Sequence, residues 1–167
     1  MVMIYLFAFM MMIVLPGCWT PVEKQDQEQR QVMSSPVLVV NVLDKNFYDD
    51  AHIKGSINVP YEKVDDFLGK TNKDTTLVFY CSNYMCTASH EAVKMARKQG
   101  FKDARVYSGG TAEWYQIRKN DASYELVGPA KDKYLEIMLP KPQEGDEKLQ
   151  VIDALELKNL MKEANLI

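Results

Sequence analysis

Short apolar runs that alternate with helical patterns constrain the fold of this chain more than any other feature of its sequence. Residues 37–43 form one such run and residues 76–80 form another, both rich in Val, Leu and aromatic side chains. Strands that are buried on both faces have this composition. Helical patterns follow at residues 61–70, 88–100 and 111–119. Strands that alternate with short helices predict a parallel α/β sheet with helices on both faces.

The length and charge of the chain narrow the possible classes of protein. A chain of 167 residues with a net charge of −3 has room for one domain of ordinary size and its extensions. Charges of both signs are scattered and form no basic face, which excludes nucleic acid as a partner. The chain divides into an N-terminal apolar segment, a polar tether, a globular domain and a C-terminal extension that is predicted to be helical. These parts comprise residues 1–17, 18–35, 36–129 and 130–167.

The first 15 residues carry no charge, and the sequence Leu15-Pro16-Gly17-Cys18 follows at their end. This apolar length is shorter than the roughly 20 residues of a spanning helix and fits the core of a secretory signal. Its end resembles a bacterial lipobox, which implies cleavage after Gly17 and a lipid on Cys18. No Lys or Arg precedes the run and Pro16 replaces a small residue, so an uncleaved anchor is the alternative. Both predict an extracytoplasmic domain attached to the membrane, at the periplasmic face or the cell surface.

A cysteine, Cys81, follows the second apolar run, and a helical pattern begins a few residues later. The carboxyl ends of parallel strands form the edge at which α/β proteins bind their ligands. A thiol at this junction faces backbone N–H groups at a helix start, which favour an anion and lower the thiol pKa below about 8.5. These residues alone leave two alternatives open, a nucleophilic thiolate and a buried structural cysteine.

Four segments, in order and at matching spacing, resemble the rhodanese domain over about residues 36–129. The second of them, residues 51–60, reads AHIKGSINVP and is similar to the family segment GHIPGAINIP. The others are the apolar run at residues 37–43, the pair Tyr80-Cys81 at the start of the loop, and a closing pattern of Gly100, Phe101, Val106, Gly109, Gly110 and Trp114.

The resemblance implies a five-stranded parallel sheet and a sulfur-transfer reaction. In that family the loop cysteine, here Cys81, takes a sulfane sulfur from a donor, becomes a persulfide, and passes the sulfur to an acceptor thiol. Backbone N–H groups of the loop stabilise the anion, and no metal or organic cofactor is required. The remaining loop residues and the residue that follows them are Ser82, Asn83, Tyr84, Met85, Cys86 and Thr87.

The sequence departs from the family pattern by its lack of charge near the cysteine. Residues 82–86 contain no cation, and Asn41 and Leu43 stand where relatives carry Asp and Arg. We therefore expect thiosulfate to bind weakly and a polysulfide or a protein persulfide to be the donor. Tyr84 and Met85 are bulky at positions that are often small, which predicts a narrow mouth or an apolar contact with a partner.

A second cysteine, Cys86, stands at the far end of the loop. It could resolve a persulfide or sulfenate on Cys81 by forming a disulfide, or it could pack as a small residue at a helix start. The alternatives to sulfur transfer are therefore a thiol–disulfide redox protein and a non-catalytic binding module of the same fold. A phosphatase is excluded, because Thr87 stands where a Cys-x5-Arg loop needs its arginine. A zinc site of these cysteines with His52 and His90 is disfavoured, because relatives use His52 structurally.

The C-terminal tail carries a further apolar pattern. Residues 149–161 resemble the strand and helix with which rhodanese domains commonly open, an element that is not evident before residue 37. The tail is then either the remnant of a tandem protein or the source of the missing opening element. Residues 124–127 are predicted as the last strand of the main domain. The predicted apolar stripe of the tail helix comprises Ile152, Leu155, Leu160 and Met161.

Overall fold

The computed structural model describes residues 37–137 and 149–167, in which a sheet lies between two helical layers. The strands are β1 (Val37–Asn41), β2 (His52–Ile53), β3 (Ile57–Asn58), β4 (Thr76–Tyr80), β5 (Ala104–Tyr107), β6 (Leu126–Val127) and β7 (Gln150–Ile152). The helices are α1 (Lys45–Asp50), α2 (Val64–Lys70), α3 (Ala88–Lys98), α4 (Gly110–Arg118) and α5 (Ala154–Glu163), with 3-10 turns at Tyr61–Lys63 and Lys133–Glu136.

Five of the strands form one parallel sheet in the order β3-β1-β4-β5-β7. Strands β1 and β4 pair along their whole length, from Val37 opposite Thr76 to Asn41 opposite Tyr80. Every residue of β1 is buried, as expected for a strand that is covered by helices on both faces. The prediction of a five-stranded parallel sheet with flanking helices is confirmed.

The sheet separates two apolar cores, because successive strand residues point to opposite faces. On one face, residues such as Val40 and Phe79 pack against α2 and α3. On the other face, residues such as Val39 and Tyr80 pack against α4 and α5, and the α4 residue Trp114 is fully buried there. The strands of the sheet are therefore packed against helices on both faces.

The strand next to β5 comes from the C-terminal tail. Strand β7 runs parallel to β5, with Arg105 opposite Gln150 and Tyr107 opposite Ile152. The hypothesis that the tail supplies the missing opening element is confirmed by this pairing. The fold consequently extends beyond the predicted domain end at residue 129, and residues 149–167 belong to the domain rather than to an appended extension.

The strand predicted at residues 124–127 forms at Leu126–Val127, but its implied place in the parallel sheet is wrong. Leu126–Val127 forms β6, which pairs antiparallel with β2 in a separate two-stranded sheet. Gly128 follows at φ +106, and a Cβ at this position would lie 2.4 Å from the carbonyl oxygen of Asp50. The composition of a short run indicates a strand but not the strand with which it pairs, which explains the error.

Helix α5 begins with a capping box between Asp153 and Glu156, in which each side chain accepts the backbone N–H of the other residue. Its buried positions include Leu157 and Met161, which lie in the core shared with α4. Leu155 is 58% exposed, so the predicted apolar stripe is wrong at that position. The helix therefore docks on the sheet with a face rotated from the predicted one.

Several predictions fall outside the described residues. They concern the signal or anchor at residues 1–17, the lipid on Cys18, the tether at residues 18–35 and the break at residues 140–148. Within residues 37–137 and 149–167, no helix has the length and apolar character needed to cross a bilayer. Attachment to the membrane therefore stays a prediction.

Candidate active site

Cys81 lies directly after β4, at the carboxyl edge of the central strand of the sheet. Residues 82–87 form the loop that connects it to α3. The Cys81 side chain is 0% exposed and belongs to the core between the sheet and α3. The structure thus brings the predicted cysteine to the predicted edge, but it encloses the sulfur rather than presenting it to solvent.

Asn83 shapes the loop by accepting two backbone hydrogen bonds. Its carbonyl oxygen accepts from the Cys86 N–H at 3.0 Å, and its Oδ1 accepts from the Met85 N–H at 3.0 Å. Asparagine side chains commonly close such turns on the backbone two residues ahead. The turn returns the chain towards Cys81, so that Cys81 Sγ lies 3.2 Å from the carbonyl oxygen of Cys86, and both cysteines are free thiols.

The N-terminus of α4 fixes the start of the loop. The Thr111 N–H donates to the carbonyl oxygen of Cys81 at 3.0 Å, and the Ala112 N–H donates to that of Ser82 at 2.9 Å. Gly110 stands between helix and loop at φ +63, where a Cβ would lie 2.5 Å from the Cys81 carbonyl oxygen. The glycine is required both for this backbone conformation and for the close approach.

The surroundings of the Cys81 sulfur favour the protonated thiol. Its Sγ donates to the carbonyl oxygen of Cys86 at 3.2 Å, and the Asn83 carbonyl oxygen lies at 4.0 Å. The Cys86 thiol and then burial raise the pKa of Cys81, and the hydroxyl and N–H of Ser89 only partly oppose them. The sequence predicts a lowered pKa for Cys81, but the direction is the opposite, because the Cys86 thiol and burial outweigh the one backbone N–H that opposes them, which comes from Ser89 in α3.

Cys86 occupies the environment that the sequence predicts for Cys81. It is partly exposed and lies two residues before the start of α3. The Cys81 thiol, together with the backbone N–H groups of Ala88 and Ser82, lowers the pKa of Cys86 to about 5 against the opposing effect of burial. The surroundings of the pair therefore favour a thiolate at Cys86 over one at Cys81.

The outer part of the loop forms the rim of a cleft. The Tyr84 hydroxyl donates to Glu113 Oε1 at 2.6 Å, and burial followed by this carboxylate raises the pKa of Tyr84. Met85 is 76% exposed. A cleft of about 520 Å³ opens beside the loop and is lined by Asn83, Tyr84, Gly109, Ala112, Glu113 and Ile137 among others. Tyr84 and Met85 thus place one polar and one apolar side chain beside the loop.

The end of β1 contributes an amide rather than a charge. Asn41 is fully buried, and its Oδ1 accepts from the Leu43 N–H at 2.9 Å. The Asn58 side chain donates to the Leu43 carbonyl oxygen at 2.8 Å and ties β3 to the same turn. These neutral bonds fix the backbone beside the loop without adding charge to it.

Sequence reasoning misses two residues of the site, Ser89 and Thr111. Ser89 Oγ lies 3.3 Å from Cys81 Sγ, and Thr111 Oγ1 donates to the Cys81 carbonyl oxygen at 3.3 Å. Ser89 carried a signal, because it is the polar member of the buried face of α3, which it shares with Ala92, Val93 and Ala96. Ala88, the first residue of α3, is only partly buried. Thr87, the other predicted position, precedes α3 without a side-chain capping bond.

His52 has a structural contact. Its imidazole stacks on the Tyr48 ring at a centroid distance of 3.8 Å, and its Nδ1 lies 2.7 Å from the Tyr48 carbonyl oxygen. Among residues 37–137 and 149–167, no group of three or more His, Cys, Asp or Glu side chains is placed to hold a metal ion.

These features define a parallel α/β protein with a cysteine loop at the carboxyl end of its central strand. The family model of the rhodanese-like domain matches residues 24–117, and the chain belongs to this family. The resemblance drawn from the sequence is therefore confirmed. The match ends before β7 and α5, so the tail that completes the sheet lies outside it.

Two curated relatives are thiosulfate sulfurtransferases. GlpE of Shewanella oneidensis is 31% identical over 80 residues, which cover 48% of this chain and 77% of the relative. GlpE of Pseudomonas paraeruginosa is 30% identical over 97 residues, which cover 58% of this chain and 86% of the relative. Among solved structures, the Rhodanese_3-like domain of the Alr3790 protein from Anabaena sp. is 28% identical, with a TM-score of 0.44 over 48% of this chain and 92% of that chain.

Proposed function

We propose that this protein is a sulfane-sulfur transferase or carrier that holds the sulfur as a persulfide on Cys81 and gives it to an acceptor thiol. The observation that carries the proposal is the position of Cys81 at the end of β4, with its Sγ 3.2 Å from the carbonyl oxygen of a second free cysteine, Cys86. Membership of the rhodanese-like family and the sulfurtransferase names of the two relatives support it.

Burial suits Cys81 to a carrier role. A persulfide on Cys81 is enclosed by the turn at Asn83 and by the first turn of α3. The Ser89 hydroxyl, 3.3 Å from the sulfur, can donate a hydrogen bond to the persulfide anion. Enclosure protects the bound sulfur from stray thiols, since thiol exchange requires access to the sulfur that is attacked.

Polysulfide or a protein persulfide is the donor that this site favours. The loop contributes no cation, and Asn41 and Leu43 add none beside it. A carboxylate, Glu113, is instead bonded to Tyr84 at the rim. A dianionic donor such as thiosulfate gains little there, whereas the exposed Met85 offers contact to a partner that carries a persulfide.

The proposed location is outside the cytoplasmic membrane, on a tether that begins at Cys18 or at an uncleaved anchor. The support is the uncharged segment at residues 1–17 and its lipobox-like end. Metabolic labelling with a palmitate analogue tests the lipid form, and a labelled Cys18→Ser chain would contradict it.

Mass measurement tests the carrier function. The full chain is loaded with polysulfide, freed of the donor, and mapped by peptide mass after alkylation. We expect one added sulfur on Cys81 that is released by an added thiol, and little retained sulfur in Cys81→Ser. The matched control is Cys18→Ser, which changes the one cysteine outside the loop and should retain sulfur as the wild type does. Equal retention in Cys81→Ser would contradict the proposal.

A thiol–disulfide redox function is the second candidate, because Cys81 and Cys86 are two free cysteines of one loop and Cys81 Sγ lies 3.2 Å from the Cys86 carbonyl oxygen. The same mass measurement separates the two functions. Loss of two hydrogens in the wild type, absent from both single cysteine variants, would favour the redox function over sulfur carriage.

A further inference from the structure

The two loop thiols differ in their access to solvent. Cys81 is fully buried in the core, whereas Cys86 is partly exposed and follows Met85, the most exposed large apolar side chain among the described residues. A sulfur donor that approaches this loop therefore meets Cys86 first. Cys81, at 0% exposure, presents no surface to that donor.

The polar groups around the two sulfurs also favour a thiolate at Cys86 over one at Cys81. The carbonyl oxygens of Cys86 and Asn83 lie 3.2 and 4.0 Å from Cys81 Sγ, and the hydroxyl and N–H of Ser89 oppose their effect only in part. Backbone N–H groups of Ala88 and Ser82 face Cys86. Carbonyl oxygens repel a sulfur anion and N–H donors stabilise it, so the exposed sulfur is also the nucleophilic one.

We propose that Cys86 is the thiol through which sulfur enters, and that Cys81 receives the sulfur from Cys86. The inference rests on the proposed function and assigns the order of its steps. In the first step, the Cys86 thiolate attacks the outer sulfur of a donor persulfide R–S–SH. A new bond forms between Cys86 Sγ and that sulfur, the bond within the donor breaks, and the donor leaves as the thiolate R–S⁻.

The second step moves the sulfur inward by one thiol exchange. Cys81 attacks the outer sulfur of the Cys86 persulfide, the bond between that sulfur and Cys86 breaks, and the proton of Cys81 passes to Cys86. The products are a Cys81 persulfide and a Cys86 thiol, so no external oxidant or reductant is required. The turn supplies the necessary proximity, because Cys81 Sγ lies 3.2 Å from the carbonyl oxygen of Cys86 itself.

Attack on the inner sulfur is the competing reaction. Cys81 would then bond to Cys86 Sγ, and the outer sulfur would leave as hydrogen sulfide, which yields a disulfide. Both reactions begin at Cys86, but only the first one stores sulfur. The fate of the Cys86 persulfide therefore decides whether the loop carries sulfur or reduces it.

A quenched time course tests the order of loading. The full chain is mixed with excess polysulfide, quenched with an alkylating reagent at increasing times, and mapped by fragment mass. We expect sulfur on Cys86 first and on Cys81 later. In Cys81→Ser, sulfur should reach Cys86 at close to the wild-type rate, whereas in Cys86→Ser the loading of Cys81 should slow roughly tenfold or more.

Control variants distinguish an error in the proposed loading order from an error in the proposed carrier function. Cys86→Ala is tested beside Cys86→Ser, with circular dichroism and the melting midpoint as checks on folding. Loading of Cys81 at the wild-type rate in both Cys86 variants would overturn the order and leave the carrier function intact. Rapid formation of a disulfide with release of sulfide in the wild type would overturn the inward transfer. Absence of added sulfur in every variant would overturn the proposed function itself.

Discussion

Helices α3 and α4 present their N-termini to the same loop but act on different atoms of it. The N–H groups of Thr111 and Ala112 in α4 donate to backbone carbonyl oxygens of the loop. The N–H group of Ala88 in α3 instead stabilises the Cys86 sulfur. N–H groups at a helix start have no partner within the helix. Those of α4 fix the loop backbone, and that of α3 stabilises an anion. The comparison separates residues that build the loop from residues that perform its chemistry.

The largest effect is expected at Gly110, on the α4 side. Gly110→Ala places a Cβ 2.5 Å from the Cys81 carbonyl oxygen at φ +63. We expect a loss of about 3 kcal/mol or more in the free energy of unfolding, because neither the backbone conformation nor the contact can be kept. Urea denaturation measures it.

Gly69→Ala is the matched control for that substitution. Gly69 lies within α2, where a Cβ meets no atom within 4 Å. We expect the stability to rise by about 0.5–1 kcal/mol there, since alanine favours the helix. Similar losses in both variants would show that the close approach at Gly110 is unimportant.

The second effect is expected on the α3 side, where the alkylation rate of Cys86 should depend on pH. Since the pKa of Cys86 is lowered to about 5, its alkylation rate should rise through that pH and be level above about pH 6. An ordinary thiol of pKa about 8.5 would be roughly thirtyfold less ionised at pH 7. Iodoacetamide labelling with peptide mapping gives the profile.

Cys81→Ala sharpens this measurement. It removes the thiol that contributes most to the lowered pKa of Cys86, so the midpoint of the profile should move to higher pH. A wild-type midpoint near 8.5 would refute the assignment of the thiolate to Cys86.

A smaller effect is expected at Thr111, again on the α4 side. Thr111→Val keeps the shape of this buried side chain but removes the hydroxyl that donates to the Cys81 carbonyl oxygen at 3.3 Å. The stability should fall by about 1 kcal/mol, with the initial loading of Cys86 unchanged. A large loss of loading without loss of stability would mean that α4 acts in the chemistry as well.

The smallest change in stability is expected at Ser89, on the α3 side. Ser89→Ala removes a hydroxyl 3.3 Å from Cys81 Sγ, and we expect less than about 1 kcal/mol in stability. The lifetime of the Cys81 persulfide should shorten a few-fold, measured by mass after removal of the donor. Thr87→Ala is the control, since Thr87 makes no side-chain capping bond. Equal lifetimes in both variants would remove Ser89 from the site.

The main features of the fold were predictable because local sequence patterns determine them. The buried runs at residues 37–43 and 76–80 indicate parallel strands, and β1 and β4 lie within them. The partner of β5 was harder to predict, since residues 124–127 and 149–161 both offer an apolar run. Only the pairing across the sheet distinguishes them, and local composition contains no information about it.

The position of the site was predictable, but the backbone groups that face its sulfur atoms were not. The end of a buried strand places Cys81 at the sheet edge, whatever the loop does next. Which backbone groups face its sulfur depends on the turn at Asn83 and on α4, a helix that begins almost thirty residues later. The start of α3 directs the Ala88 N–H to Cys86 and the Ser89 N–H to Cys81, whereas spacing alone assigned the helix N–H groups only to Cys81.

The position of β7 in the chain also sets an order of assembly. The ribosome produces β7 after the other four strands of the sheet, so β5 has an unpaired edge while the active loop is already complete. Exposed strand edges promote pairing with other chains. A nascent or truncated chain that lacks residues 149–167 should therefore associate with other copies through β5.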